Sequence, residues 1–349
     1  MQNMERQKVV TVSISRSLLI VLLLAAFSFG AFLGRGTVMF GTAYDDGNDE
    51  PANDPSGNLQ FIRPRLEHWV TKGGRAPREL KPFRYKVAAL IDRKVKAGDA
   101  SSIAVFFRDL TGGFRFGIND HEPLSPESLL KLPLMIAYFK WAESNPHALR
   151  RKLTYTPGDV PADRQTVRSI RPLEAGKSYT VDDLILRMIA YDDSDAHALL
   201  MSNLPPDYLD RIFKDIYVNY DPAKKDDAVT FSAYTSFFRV LYDASYLSKE
   251  MSGKALRYLS RSSFRDEFVS NIPPNVECAI KFGTRILGDD AAGDRTGELE
   301  QFHEVGIVYY PGRPYLMGIM ARGKDTEKLK SAIREITTLI YEEVDRQLR

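Results

Sequence analysis

The chain has 349 residues, of which 44% are hydrophobic and 27% are charged, and its formal net charge at pH 7 is +2. This length suits one large domain or two ordinary ones, and the hydrophobic fraction is too high for a disordered chain. The balance of charges excludes an overall nucleic-acid-binding surface. One cysteine, Cys278, excludes an internal disulfide, and the five histidines form no zinc-binding pattern. We therefore expect no nucleic-acid partner, no metal and no other cofactor.

An uncharged hydrophobic run, Leu18–Leu33, follows a basic N-terminal tail. As a helix it would extend about 24 Å, slightly short of the ~30 Å hydrocarbon core of a membrane. A cleaved signal peptide is the alternative, since Ser28 and Gly30 are small residues of the kind found at cleavage sites. The run stays apolar beyond them, which favours an uncleaved anchor. We predict a single-pass protein of the cell membrane with a cytoplasmic tail (1–16), an anchor and its flank (17–40), and an extracytoplasmic remainder.

Residues 41–79 are predicted to form a linker. Gly41–Asn58 carries five acidic residues and no basic ones, and it is too poor in apolar residues to fold. The overlapping stretch Arg63–Lys96 holds eleven Lys or Arg residues against three Asp or Glu. It is either a solvated helix face with a basic linker, or a surface that lies against anionic lipid or wall polymer. The folded domain is predicted to cover 80–349.

The predicted elements of this domain begin and end with helices. Sheet strands near both chain ends and a mostly helical middle predict an α+β fold. In this fold an antiparallel sheet is flanked by the N- and C-terminal helices, and an all-α subdomain is inserted. In chain order the elements are a helix (Pro82–Ala97), a hairpin (Ser102–Leu110 and Phe114–Ile118), four helices (Ser128–Trp141, Val181–Met201, Tyr234–Tyr246 and Ser252–Ser260), two strands (Glu304–Tyr310 and Tyr315–Arg322) and a final helix (Asp325–Leu348).

Ser128-Leu129-Leu130-Lys131 is the only Ser-x-x-Lys tetrapeptide in the chain, and it begins a predicted apolar helix. Residues three apart on a helix share a face, so the Lys131 ammonium can reach the Ser128 hydroxyl. The positive end of the helix dipole would also stabilise an oxyanion that forms there. By itself the tetrapeptide is a weak signal, because a capping serine followed by a surface lysine produces the same pattern.

Two later segments strengthen it. Asp192-Asp193-Ser194 lies within the apolar stretch Met188–Leu200, and Lys281-Phe282-Gly283-Thr284 lies on a predicted strand. The order of these segments resembles the penicillin-recognising serine hydrolases, specifically class A β-lactamase-like proteins, whose motifs are S-x-x-K, S-D-N and K-T-G. The resemblance covers about residue 80 to the C-terminus. It also includes Phe116–Asn119, Leu132–Leu134 and His303–Val308.

The resemblance implies that Ser128 is the acylated nucleophile and Lys131 its general base. It also implies that Lys281 and Gly283 bind substrate, and that the backbone amides of Ser128 and Thr284 form an oxyanion hole. The implied substrates are β-lactams or peptidoglycan stem peptides. Lys131 would have to lose a proton near neutral pH, well below its reference pKa of ~10.4, and a nearby cation such as Lys281 lowers that value.

The second motif departs from the family pattern at its serine. Aligned without a gap, Asp192 replaces the serine that relays protons between the two lysines. A two-residue slip would use Ser194 instead, but it breaks the register of the flanking helix, so the ungapped alignment is favoured. Ser194 then stays a candidate substrate-binding residue. A carboxylate at Asp192 is expected to raise the pKa of both lysines and to slow acylation.

Two further departures bear on activity. Phe282 stands where Thr or Ser is usual, which removes a hydroxyl donor to a substrate carboxylate. No deacylating glutamate in an E-x-x-L-N loop is found, because Glu267–Asn271 lies too close to Lys281 and Asp226-Asp227 lacks the motif. Efficient β-lactam hydrolysis is therefore not expected. The alternative function is a catalytically impaired protein that binds cell-wall peptide or a partner on the same scaffold.

Three remaining residues are expected to have structural roles. Cys278 is predicted to be a buried strand thiol, because it lies in the apolar approach to Lys281. His197 is predicted to be a packing or surface histidine, and His303 to form hydrogen bonds at a strand edge.

Overall fold

The computed structural model describes residues 59–63, 80–124, 127–157, 169–220, 229–263, 269–287 and 299–349. The predicted tail and anchor lie outside these ranges. None of the helices within them is both long enough and apolar enough to cross a membrane. Part of the predicted linker packs against the domain, since Phe61 is buried and the Arg63 amide donates a hydrogen bond to the Tyr242 carbonyl, at 2.8 Å.

A five-stranded antiparallel sheet organises the domain. Its strands are β1 (Ser102–Asp109), β2 (Arg115–Ile118), β3 (Cys278–Leu287), β4 (Leu299–Val308) and β5 (Tyr315–Gly323). Their spatial order is β2-β1-β5-β4-β3, so strands from both ends of the domain meet at the β1–β5 pairing. The predicted fold class is confirmed. β3, which carries the Lys281 segment, is an edge strand of the sheet.

Both faces of the sheet are covered, and for this reason β1 and β5 are apolar almost throughout. Successive side chains of a strand point to opposite faces, so β1 contributes to two separate cores. Ile103, Val105 and Phe107 belong to the core that also contains residues of the terminal helices. Ala104 and Phe106 belong to the core of the helical subdomain.

Eight α-helices lie within the described residues. The terminal pair, α1 (Arg84–Lys96) and α8 (Thr326–Leu348), lies close to the bounds predicted from hydrophobic spacing. The others are α2 (Lys131–Ser144), α3 (Val181–Ala190), α4 (Ser194–Asn203), α5 (Tyr208–Asp215), α6 (Phe231–Tyr242) and α7 (Lys249–Ser260). α2 is buried through most of its length and forms the centre of the helical subdomain.

The start of α2 differs from its prediction. A 3-10 turn, Glu127–Leu130, holds Ser128, and the α-helix begins only at Lys131. Pro133 then lies in the first turn of α2, where the missing N–H of a proline is tolerated.

The prediction of one helix over Val181–Met201 is wrong. The chain leaves the helix after Ala190, and Asp192 has a φ of 54°, in the left-handed region. Asp193 then caps α4, because its Oδ1 accepts a hydrogen bond from the Ala196 amide at 2.9 Å. Aspartate is a strong N-cap residue and tolerates left-handed backbone better than most residues, so local chemistry overrides the apolar periodicity here.

α5 and two short strand pairs were absent from the predicted elements. α5 is a two-turn amphipathic helix that buries Ile212 and Phe213. The short pairs are Pro123–Leu124 with Val229–Thr230, and Lys152–Thr154 with Ser178–Thr180. All are too short for periodicity to distinguish them from loops.

Candidate active site

The polar residues of the site come from three separate elements and from the break between two helices. Ser128 comes from the 3-10 turn before α2, Lys131 from the first position of α2, and Lys281 from β3. β3 packs against the same 3-10 turn, which brings the Lys281 segment close to Ser128. The break between α3 and α4 supplies Asp192.

The carboxylate of Asp192 joins these residues. Its Oδ1 accepts hydrogen bonds from Lys131 Nζ at 2.8 Å and from Lys281 Nζ at 2.7 Å. Its Oδ2 accepts one from the Ser128 hydroxyl at 3.3 Å, and its backbone carbonyl accepts another from Lys131 Nζ at 2.8 Å. Lys131, Asp192 and Lys281 are only 3%, 3% and 1% exposed. We call Ser128, Lys131, Asp192 and Lys281 the Asp192 cluster.

The cluster agrees with the alignment without a gap. It is Asp192, not Ser194, that contacts both lysines. Ser194 is instead the first residue of α4, next to the capping Asp193. The catalytic and substrate-binding roles of all these residues, Ser194 included, stay predictions.

Burial decides the protonation of Lys131. Loss of solvation lowers the pKa of its amine from 10.5 to about 8, against the opposing charge of Asp192 and with help from the charge of Lys281. The Asp192 carboxylate raises the pKa of Lys131, as expected, but the loss of solvation outweighs it, so the pKa of the amine stays below its reference value. For Asp192 itself, burial raises the pKa, yet the adjacent charges of Lys281 and Lys131 outweigh it and hold the carboxyl below its usual range.

His197 lies closer to the site than its predicted packing or surface role suggests. Desolvation, with the charge of Lys131 next, lowers the pKa of its imidazole to about 4, so the ring is neutral at pH 7. Its backbone amide donates to the carbonyl of Asp193, the N-cap residue of α4.

Gly283 of β3 lies directly opposite His303 of β4. A Cβ on Gly283 would lie 2.2 Å from His303 Nε2, so the buried imidazole requires glycine at this position. Thr284, the next residue, is partly buried and pairs with Phe302 in the same ladder.

The strand-edge role predicted for His303 is wrong, since β4 lies inside the sheet between β3 and β5. The imidazole is fully buried, which lowers its pKa to about 3 and keeps it neutral. Arg322 donates to Gln301 Oε1 at 3.1 Å, so the Gln301 amide nitrogen, 3.1 Å from His303 Nδ1, is the donor in that contact. The ring proton then resides on Nε2, which faces Gly283 and has no partner among the described residues.

Phe282 belongs to the core between the sheet and the terminal helices. Its ring stacks with that of Phe302, with centroids 6.4 Å apart, and Lys281 Nζ lies 4.8 Å from its centre. The family's hydroxyl donor is thus replaced by an aromatic face that stabilises the lysine cation.

Cys278 is a fully buried strand thiol, as predicted. Glu267 and Asp226-Asp227 lie outside the described residues.

Comparison with known proteins decides the family. A family model described as the beta-lactamase enzyme family matches residues 83–344. The chain belongs to the beta-lactamase enzyme family. No curated protein matches this family member at significant similarity.

Solved structures share the fold of this beta-lactamase family member at low sequence identity. A PBP-A mutant in an acyl-enzyme complex with penicillin G is 15% identical, with a TM-score of 0.63, over 77% of this chain and 100% of that one. A beta-lactamase from Sphaerobacter thermophilus is 17% identical, with a TM-score of 0.62, over 75% and 98%. A class A beta-lactamase from Mycobacterium abscessus is 20% identical, with a TM-score of 0.59, over 75% and 98%.

The contact between Gly283 and His303 predicts strong coupling between the two positions. Gly283→Ala should lower the free energy of unfolding by about 1–3 kcal/mol, because the new methyl group overpacks a fully buried ring. In a His303→Ala background most of that loss should disappear, since the smaller side chain leaves room for the methyl group. Urea denaturation of the four proteins measures both values. Equal losses in the two backgrounds would show that the ring does not impose glycine here.

Proposed function

We propose that this member of the beta-lactamase family is a serine acyl-transfer hydrolase, whose Ser128 is acylated by β-lactams or by peptidoglycan stem peptides. The observation that supports it is the Asp192 cluster, in which one nucleophile and two amines converge on a single buried carboxylate. The likeness to a PBP-A structure described as an acyl-enzyme complex with penicillin G adds support at the level of the fold.

Lys131 is the general base in this proposal. An ammonium has three N–H donors, and Lys131 directs two hydrogen bonds to Asp192, one to the carboxylate and one to the carbonyl. Loss of the third proton leaves both bonds intact and frees a lone pair. With a pKa of about 8, about one Lys131 side chain in ten is neutral at pH 7. The Ser128 hydroxyl donates to Asp192 Oδ2, whose depressed pKa makes it a weak base, so the hydroxyl hydrogen must turn towards the neutral Lys131 amine before it is transferred.

Acylation then follows from proton transfer within the cluster. Lys131 takes the Ser128 proton as Oγ attacks the carbonyl carbon, and the same proton passes to the leaving nitrogen as the amide bond breaks. The backbone amides of Ser128 and Thr284 are the proposed donors to the oxyanion. While Lys131 is protonated, two ammonium groups and one carboxylate give the cluster a net charge of +1, which suits the binding of a substrate carboxylate beside Lys281.

Deacylation is proposed to be slow. The sequence has no E-x-x-L-N loop that would place a water-activating glutamate. The covalent intermediate should therefore persist, as expected of a β-lactam-binding peptidase more than of an efficient β-lactamase.

A catalytically impaired wall-binding or partner-binding protein is the second candidate. The contacts of Asp192 with both lysines, at 2.8 and 2.7 Å, favour it, because a carboxylate at this position stabilises the protonated form of the base.

The proposed site of action is outside the cell membrane, where peptidoglycan lies. The support for it is the basic tail followed by the hydrophobic run Leu18–Leu33.

A labelling experiment tests the serine chemistry and its pH dependence. The protein should react with a fluorescent penicillin, Ser128→Ala should abolish the reaction, and little penicillin should be turned over. Because only neutral Lys131 accepts the proton, the rate should rise about tenfold per pH unit and level off above about pH 8. Gel fluorescence against time at pH 6, 7, 8 and 9 gives the profile. Rapid turnover would refute slow deacylation, and a flat profile would refute the role of Lys131.

Replacing Asp192 separates the two candidate functions. Asp192→Asn and Asp192→Ser both remove a negative charge that raises the pKa of Lys131, so the rise in labelling should move to lower pH. At pH 7 the gain is limited to about tenfold, since about a tenth of Lys131 is already neutral in the parent. Asp195→Asn removes the same charge from the first turn of α4 and serves as the matched control.

Circular dichroism must first show that each variant is folded, because Asp192 neutralises two buried cations. If folded parent and folded Asp192→Ser both fail to react, the binding-protein candidate is favoured. Faster labelling of Asp195→Asn as well would show that the gain does not come from the cluster.

The proposed location is tested with intact cells or protoplasts. A protease added outside should degrade the large domain, while a cytoplasmic marker protein survives in the same sample. Complete protection of the domain would refute the extracytoplasmic assignment, and degradation of the marker would show that the cells had leaked.

A further inference from the structure

A second groove lies on the same face of the sheet as the Asp192 cluster, but at the opposite edge. It runs between β1 and the edge strand β2 on one side and α6 on the other, with a volume of about 620 Å³. Phe106 and Leu316 form part of its floor, and both belong to the core of the helical subdomain. Nothing in the proposed acylation chemistry uses this groove.

The groove is strongly basic. Arg108 and Arg115 line it from the sheet and Arg239 lines it from α6, whereas Asp120 is the one acidic residue among the described residues that line it. Three guanidinium groups and one carboxylate give these side chains a net charge of +2. Neither Arg115 nor Arg239 forms an ion pair with any residue in the described part of the chain. The hydroxyls of Ser232 and Ser236, at the start of α6, add neutral donors to the same surface.

Two arginines of the groove face each other across the sheet. Arg108 and Arg115 are directly opposite each other in the β1–β2 ladder. Cβ atoms of such pairs are about 4.5–5.5 Å apart, and like charges at this separation destabilise a sheet. An anion bound between them would offset the repulsion. Arg115 is the member of the pair that forms no ion pair within the described residues, so its guanidinium is available to a bound anion.

We propose that this groove binds a phosphate group, carried as a monoester on a larger molecule. Guanidinium groups present paired N–H donors that match phosphate oxygens. A phosphate monoester carries a charge of about −1.5 to −2 at pH 7, which matches the two guanidinium groups, Arg115 and Arg239, that form no ion pair among the described residues, whereas a carboxylate would match only one of them. The volume exceeds that of the phosphate alone, so part of the attached molecule also fits. Asp120 limits the affinity by repelling the anion.

Binding is measured on the full-length protein in a nonionic detergent by calorimetric titration with inorganic phosphate and with glycerol 3-phosphate. Both should bind at one site, more weakly as salt is added. Arg115→Gln and Arg239→Gln should each weaken binding at least tenfold, and Asp120→Asn should tighten it. Arg93→Gln, which removes a cation from an exposed position of α1, is the matched control and should change nothing.

Vesicles distinguish the two sources of a phosphate monoester. Co-sedimentation with phosphatidic acid vesicles, but not with phosphatidylcholine vesicles, that is lost in Arg115→Gln would identify a lipid headgroup as the ligand. Binding of glycerol 3-phosphate without this sedimentation would identify a soluble phosphate ester. Each result supports the site. The proposal is overturned if neither ligand saturates, or if Arg93→Gln weakens binding as much as Arg115→Gln.

A stability measurement guards against a merely structural effect. Without ligand, Arg115→Gln should melt at the same or a higher temperature than the parent, because Arg115 forms no ion pair among the described residues and lies opposite another arginine. A large drop in melting temperature would show that Arg115 serves the fold and would count against the proposal. Arg115→Lys, which keeps the charge and loses the paired donors, should bind phosphate with intermediate affinity. Penicillin labelling should be unchanged in all these variants, so this test does not depend on the proposed acylation.

Discussion

The structure depends on one carboxylate that is hydrogen-bonded to two buried amines. Burying a cation without a partner costs several kcal/mol of folding free energy, and Lys131 and Lys281 are both almost completely buried. Asp192 makes that burial possible, because it contacts both amines with a single oxygen. Two effects oppose each other in the pKa of Lys131. Loss of solvation lowers the pKa and favours the reactive neutral amine, whereas the Asp192 carboxylate raises the pKa and favours the ammonium. Small changes in solvation at this point therefore determine how much base is present.

The surrounding architecture serves this contact. If the helix continued through Asp192, the Asp192 side chain would lie on the helix surface. Its backbone carbonyl would point along the helix axis and would not face Lys131. The left-handed turn between α3 and α4 frees that carbonyl, so the same residue offers two acceptors to one amine. Edge strand β3 supplies Lys281, whose amine reaches the same carboxylate oxygen as Lys131.

The sequence predicted the fold and the members of the cluster better than their energetics. Long periodic segments such as α8 and central strands such as β5 were readable, because burial on a fixed face imposes a spacing. The position of Asp192 followed from the register of its flanking helix. The helix break did not, because capping by Asp193 competes with periodicity over only a few residues. The dominance of burial in the pKa of Lys131 and the fit of His303 over Gly283 depend on contacts between distant strands and helices, which spacing along the chain does not encode.

The central pairing of β1 with β5 also sets the order of events during folding. Ser101 and Arg322 are hydrogen-bonded partners separated by 221 positions in the chain. The chain loses conformational entropy when it closes so long a loop, and the hydrogen bonds between β1 and β5 form only after that loss. The sheet therefore cannot be completed until nearly all of the domain has been synthesised. Until then the inner edge of the β1–β2 hairpin has no partner and is exposed to other chains. A protein built in this way gains from assistance that keeps its hairpin apart from other chains until its last strand is available.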